Sequence, residues 1–337
     1  MKRIAIWVLV LILLVIGFAG WRVVLAEVSP YKGYSGDEQF VEIPQGSGPT
    51  SIGRRLAEAG VIRDTLGFRF EILRSRTGRH LQAGEYRFDR PMTVPEVVAK
   101  IARGEVYLVP ITFREGLTMY EMAQLFESKG LGPAAEFSTI AADAQLIRDI
   151  DPAAHDLEGY LFPDTYATTR HTTAAQLVPR MVAGFEKALT PDLRAAAQAR
   201  GLSVHALVTL ASIVEKETGK PEERPMVAAV YANRLRIGMA LQCDPTVIYA
   251  LQRADRYHGN LTRENMQVDS PYNTYRYPGL PPGPIANPGR ASLEAAAHPA
   301  DVPYLYFVSR GDGSHAFAAT LDEHNRNVDE YQRRGRR

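Results

Sequence analysis

The chain has 337 residues, a net charge of +1, 45% apolar residues and a single cysteine, Cys243. That length holds one large domain or two to three modest ones. The balanced charge excludes a broad basic nucleic-acid surface, and a lone thiol excludes an internal disulfide. Lone cysteines generally behave as small buried hydrophobes, and this one has no thiolate-stabilising pattern nearby.

The first element is a run from Ile4 to Trp21 without a charged side chain. At 1.5 Å per residue it nearly crosses a hydrocarbon core of about 30 Å. Lys2 and Arg3 precede it and place the N-terminus in the cytoplasm, and Trp7 and Trp21 lie toward its ends, where indoles prefer the membrane interface. Val24-Leu25-Ala26 resembles a cleavage site, but the apolar run exceeds a signal-peptide core and Arg22 intervenes, so a retained anchor is expected. Everything after it is expected outside the inner membrane, in the periplasm.

A Gly, Ser and Pro-rich linker follows, and then a pattern appears twice. Gly46, Ile52, Leu56 and Gly60 recur seventy residues later as Gly116, Met122, Phe126 and Gly130. Each set follows a β-like run (40–43; 108–113), enters a helix with apolar positions three and four apart, and stops at a glycine. Thr50 and Thr118 are N-cap or first-turn candidates. Between the copies, 84–88 reads as a strand and 94–102 as a helix with Pro95 in its first turn. The first copy is LysM-like, with a plain strand–helix spacer as the alternative.

From Pro133 onward the chain is helical and alanine-rich. Helices are expected over 174–189, 191–200, 204–218 and 225–237, of which 204–218 is the most apolar after the anchor. Beyond Gly238 come long irregular stretches, densest at 270–288, whose Tyr272, Tyr275 and Tyr277 argue for an ordered functional loop. Residues 304–308 read as a buried strand. Arg333, Arg334, Arg336 and Arg337 form a short solvated tail.

The chemistry-bearing segment is LASIVEKET, residues 210–218. Two carboxylates end an apolar helix. Negative charge there opposes the helix dipole, and a partly desolvated carboxyl acquires the raised pKa a general acid needs. Glu215 and Glu217 lie about 200° apart around the axis. They do not pair on one face, and helix geometry leaves open which enters a cleft, or whether both face solvent.

Several segments together are similar to the MltG (YceG-like) family of endolytic murein transglycosylases. They are EGYLFPDTY (158–166), ASIVEKET (211–218), NRLRIGM (233–239), LQCDPTVIY (241–249), YNTY (272–275), GLPPGPIANP (279–288), YLYFV (304–308), HAF (315–317) and EHN (323–325). Position 243 is Cys where a small polar residue such as Thr is expected. The resemblance implies that Glu217, directly before Thr218, is the catalytic acid. It implies cleavage of the MurNAc–GlcNAc bond by the MurNAc 6-hydroxyl, leaving a 1,6-anhydro end and terminating glycan elongation. Ordinary glycosidases need a second carboxylate; a nucleophile carried by the substrate removes that need.

The implied fold is α+β: an N-terminal transmembrane helix, a small LysM-like α/β region and a lysozyme-like, mainly helical catalytic domain with β insertions. The expected boundaries are 1–26 for the stub and anchor, 27–39 linker, 40–105 LysM-like module, 106–155 second module, 156–332 catalytic domain and 333–337 tail. Substrate-binding candidates are Glu158, Asp164, Gln242, Asp244, Tyr272, Asn273 and Tyr275. Among them Tyr272, Asn273 and Tyr275 either meet sugar or anchor their loop, Asp244 lines the cleft or caps a helix, and Glu158 and Asp164 are candidates for a second carboxylate. His315 and His324 lack metal-ligand spacing, and no metal or cofactor is expected. Expected partners are peptidoglycan strands and, through the resemblance, peptidoglycan synthases of the penicillin-binding type; no nucleic acid is expected. The rivals are a non-catalytic glycan-binding scaffold and a muramidase that activates water with a second carboxylate.

Overall fold

A computed structural model describes residues 2–334; positions 335–337 of the basic tail lie outside the described residues. The chain is a mixed helix and strand protein of two compact units, Met1–Val109 and Pro110–Arg337.

In the first unit, helix α1 (Lys2–Val28) carries one apolar span, Ile6–Val28. Strand β1 (Gln39–Ile43), helices α2 (Pro49–Glu58) and α3 (Thr65–Ser75), strand β2 (Gly84–Phe88) and helix α4 (Val94–Ala102) follow. Strands β1 and β2 pair antiparallel, Val41 opposite Tyr86. Their inner residues Val41, Ile43, Tyr86 and Phe88 pack with Ile52, Leu56, Phe68, Val97 and Ile101 in one core. Helix α4 has the expected bounds, set by a Thr93–Glu96 capping box and Pro95. Thr50 lies inside the first turn of α2, whose N-cap is Gly48. The stretch read as a linker is pinned: Tyr31 and Met92 exchange backbone hydrogen bonds of 2.9 and 3.2 Å, and Gly33 donates to Gly60 at 2.8 Å.

Strand β3 (Val109–Thr112), which starts one residue before the second unit, pairs with β4 (Thr165–Thr168). Between them lie α5 (Met119–Ser128) and α6 (Ala134–Ala141). Next come α7 (Ala174–Ala188), α8 (Pro191–Ala199), α9 (Val204–Glu217), α10 (Arg224–Arg236), α11 (Asp244–Arg253) and α12 (Arg290–Ala297). A hairpin of β5 (Tyr306–Ser309) and β6 (His315–Ala318), then α13 (Leu321–Val328), complete the unit. The expected irregular stretch after Gly238 contains α11, which the prolines and glycines around it hid. The buried strand expected at 304–308 begins at Tyr306 and buries only Val308; Tyr306 and Phe307 are half-buried and Ser309 is exposed.

Helix α9 is the hub. It packs against α8, α10, α11 and α12, and Leu207, Val208, Leu210, Ala211, Ile213 and Val214 are all buried. A helix enclosed on all sides is apolar all round. That is why α8 and α9, bent by 94°, match a membrane span in composition while α9 sits in a protein core.

Candidate active site

Helix α9 ends at Glu217, and Thr218 turns extended with φ −135°. The two glutamates left open by helix geometry have different surroundings. Glu215 is consumed: Oε1 accepts from Arg224 at 3.0 Å and Oε2 from the Gly289 backbone at 3.0 Å, at the start of α12. Glu217 has no salt-bridge partner among the described residues. Tyr231 of α10 donates to its Oε1 at 2.6 Å, and the Cys243 thiol bonds the same carboxyl. Burial pushes Glu217 above the usual carboxylate range, and the two donors pull against that. Burial also holds the Tyr231 phenol and the Cys243 thiol well above their ordinary values, so both stay protonated and donate. The outcome is a desolvated carboxyl oriented by two neutral donors.

Asp244 and His315 also act on Glu217, the first raising it and the second lowering it. Asp244 is exposed and is the first residue of α11, whose N-cap is Cys243, so the helix-capping alternative for Asp244 does not hold. Its Oδ1 accepts from Tyr275 at 2.6 Å. Gln242, just before, is exposed and held at φ 50°, a left-handed conformation uncommon for a side chain and often kept where a residue must project toward a ligand. His315, at the start of β6, is fixed by Glu223: its Nδ1 lies 2.7 Å from Oε2 and its backbone donates to Oε1 at 2.9 Å. Burial tends to raise Glu223, but the two bonds from His315 outweigh it and hold the carboxyl low. Thr218 donates to Glu223 as well, at 3.3 Å. One neighbourhood therefore gathers Glu217, Tyr231, Cys243, Gln242, Asp244, Tyr275 and His315.

The other sequence candidates lie in different surroundings. Glu158 is fully buried. It accepts from the Met119 backbone at 3.0 Å, Asn287 at 2.9 Å and Tyr249 at 3.1 Å, tying the start of α5 to the 279–288 loop. Burial pushes it up to about 8, with a further push from Asp156. Tyr272 lies against Tyr249, ring centroids 5.1 Å apart, and receives a bond from Arg253. Asn273 is buried and its amide donates to the Met266 and Val268 carbonyls, ordering its own loop. Asp164 is exposed at the β3–β4 edge, bonded to the Thr165 backbone. Hollows of about 470 and 520 Å³, one along α8 and α12 and one between α8 and α10, have no part of the Glu217 neighbourhood in their walls. No cluster of metal-binding side chains occurs among the described residues.

Tyr231, Cys243 and His315 were not among the expected site residues. Tyr231 reads as one more apolar residue on the buried face of α10 with Val227 and Val230. Its role comes from a contact across the fold that no local spacing encodes.

A family model described as the YceG-like family matches residues 41–330. The endolytic murein transglycosylase of Bacillus subtilis strain 168 is 31% identical over 86% of this chain and 84% of its own length. That of Streptococcus pneumoniae strain D39 is 30% identical over 94% of this chain, which spans 62% of the streptococcal protein. A crystal structure of a YceG-like protein from Listeria monocytogenes, 33% identical, aligns with a TM-score of 0.59 over 87% of this chain and 99% of that one. With a family match over most of its length and a relative above 30% identity covered almost end to end, this chain belongs to the YceG-like family.

Proposed function

We propose that the protein is a membrane-anchored endolytic murein transglycosylase with Glu217 as its one acid/base. The observation that carries this reading is the contrast at the end of α9. Glu215 is paired with Arg224, whereas Glu217 has no salt-bridge partner among the described residues and accepts from Tyr231 and Cys243. A carboxyl raised by burial keeps its proton to higher pH than an ordinary one and can release it to a leaving oxygen.

The reaction follows with atoms balanced. Glu217 gives its proton to the glycosidic oxygen as the bond from the MurNAc anomeric carbon breaks. The MurNAc 6-hydroxyl oxygen attacks that carbon, and its proton passes to the Glu217 carboxylate. The product is a 1,6-anhydro end, and Glu217 is regenerated without water. Gln242, Asp244 and Tyr275 line the sugar site beside it; Tyr272, Asn273 and Glu158 support the loops that shape it. The first unit, with its β1–α2–α3–β2 order, is read as LysM-like and glycan-facing, and the second as a lysozyme-like catalytic domain. Helix α1 anchors the chain with Lys2 and Arg3 cytoplasmic and both units outside. Termination of nascent strands and partnership with peptidoglycan synthases belong to the same reading.

Asp244 favours one alternative, a hydrolase in which it activates water. Product mass on purified glycan separates the two, because hydrolytic ends are heavier by one water. Anhydro ends from wild type, with none from Glu217→Gln, are expected; reducing ends, or release unchanged in Glu217→Gln, overturn the proposal.

A further inference from the structure

Helix α3 has three faces. One, with Phe68 and Ile72, fills the core of the first unit. A second packs on the end of α1, where a Cβ added to Gly67 would stand 2.5 Å from that of Ala26. The third is exposed and apolar: Leu66, Phe70 and Leu73 are 44, 43 and 78% accessible. Their spacing of four and three places them within about 60° around the axis. Arg69, Arg76 and Arg79 are exposed in the same segment. A basic helix with an apolar stripe fits a membrane surface.

Its position relative to α1 supplies the occupant. Within Ile6–Val28 the charged residues are Arg22 and Glu27, and α3 supplies a cation or anion opposite each. Arg22 pairs with Asp64, the N-cap of α3, and Glu27 lies 3.6 Å from Arg74. Charges at the edge of a span are retained where partners meet them at the boundary. The 27 residues of α1 rise about 40 Å, more than a hydrocarbon core of about 30 Å, so the last turns stand among headgroups. The apolar surface of α1 continues to that level through exposed Trp21, Val24 and Val28. The backbone bonds of Tyr31 and Gly33 then tie the outgoing chain to the same unit.

We infer that α3 is an interfacial helix: Leu66, Phe70 and Leu73 enter the outer leaflet beside α1, with Arg69, Arg76 and Arg79 on lipid phosphates. The first unit is then docked on the bilayer rather than hung from it. The inference rests on α1 as the membrane anchor.

The test uses the full chain in phosphatidylethanolamine–phosphatidylglycerol vesicles, with single cysteines introduced by Leu73→Cys, Phe70→Cys, Val15→Cys and Arg103→Cys. Each carries an environment-sensitive fluorophore; the native Cys243 is buried and unlabelled. Nitroxide lipids are expected to quench the labels at 70, 73 and 15 at least about twofold, while the exposed position 103 stays unquenched. Quenching at 15 without quenching at 70 and 73 overturns the docking alone. An unquenched label at 15 overturns the anchor and the docking with it.

Discussion

The two copies of the strand–turn–helix pattern share a backbone and differ in what they are attached to. Gly46 and Gly116 both have φ 78°, and Gly60 and Gly130 both have φ 70°. Ile52, Leu56, Met122 and Phe126 are all buried. Yet nothing stands within 4 Å of a Cβ added at Gly46, whereas at Gly116 it would touch Glu215 at 3.5 Å. The first copy starts its helix at Gly48 without a side-chain cap. The second has a Thr118–Glu121 capping box and gives its Met119 amide to Glu158. Lys216, one residue before Glu217, donates to the Gly116 carbonyl at 3.0 Å. A repeated local fold thus carries no role of its own. The second copy is bonded to α9 and to the Glu158 cluster; the first has no such partners at the corresponding glycine.

The strongest way to break this comparison is Glu217→Gln, which should lower glycan cleavage by about 10²–10⁴-fold with the melting temperature unchanged; an equal loss from a first-unit surface change such as Arg103→Ala would remove the contrast. Glu158→Ala comes next. It strands the Met119, Asn287 and Tyr249 donors and should cost about 3 kcal/mol in denaturant unfolding, while Thr50→Ala in the first copy costs under about 0.5 kcal/mol.

Tyr231→Phe removes a donor that favours ionised Glu217. The carboxyl pKa rises, the alkaline limb of the pH–rate profile moves to higher pH, and turnover falls about tenfold; a lower rate with an unmoved limb would leave Tyr231 only a packing role.

A smaller effect is pH-dependent. His205 at the start of α9 lies 2.8 Å from Asp151 through Nδ1 and 2.7 Å from the Pro282 carbonyl through Nε2. The Asp151 bond raises the imidazole against the effect of burial. A raised histidine stabilises the fold fully below its unfolded pKa of about 6.5, and that stability is lost as pH rises through the folded value. His205→Ala should therefore cost about 1–2 kcal/mol at pH 6 and progressively less in alkali, read from melting curves against pH. Of similar size, Gly46→Ala and Gly116→Ala should each cost about 1–2 kcal/mol for the left-handed backbone, alike in stability. Only the second should also slow cleavage, since it disturbs the turn that receives Lys216.

Much of the scaffold was legible. Residues 84–88 and 94–102 have the expected bounds, and the helices from 174 to 237 fall within two residues of expectation, because period and caps are local. Helices α11 and α12 were hidden among prolines and glycines, and α3 by a face that is apolar toward solvent. Of the candidate site residues, Gln242, Asp244 and Tyr275 lie near Glu217, whereas Glu158 and Tyr272 lie in a second cluster, a division that local sequence does not encode.

The sequence by itself determined the apolar N-terminal helix, the repeat, the helical body and the carboxyl-ended apolar helix, since each depends on neighbours within a few turns of chain. Only the tertiary structure decided what surrounds each of the two glutamates. Arg224 and Gly289 converge on Glu215 while Tyr231 and Cys243 converge on Glu217. The physical reason is that a carboxyl becomes an acid through desolvation and the partners it lacks, and both are set by residues distant in sequence.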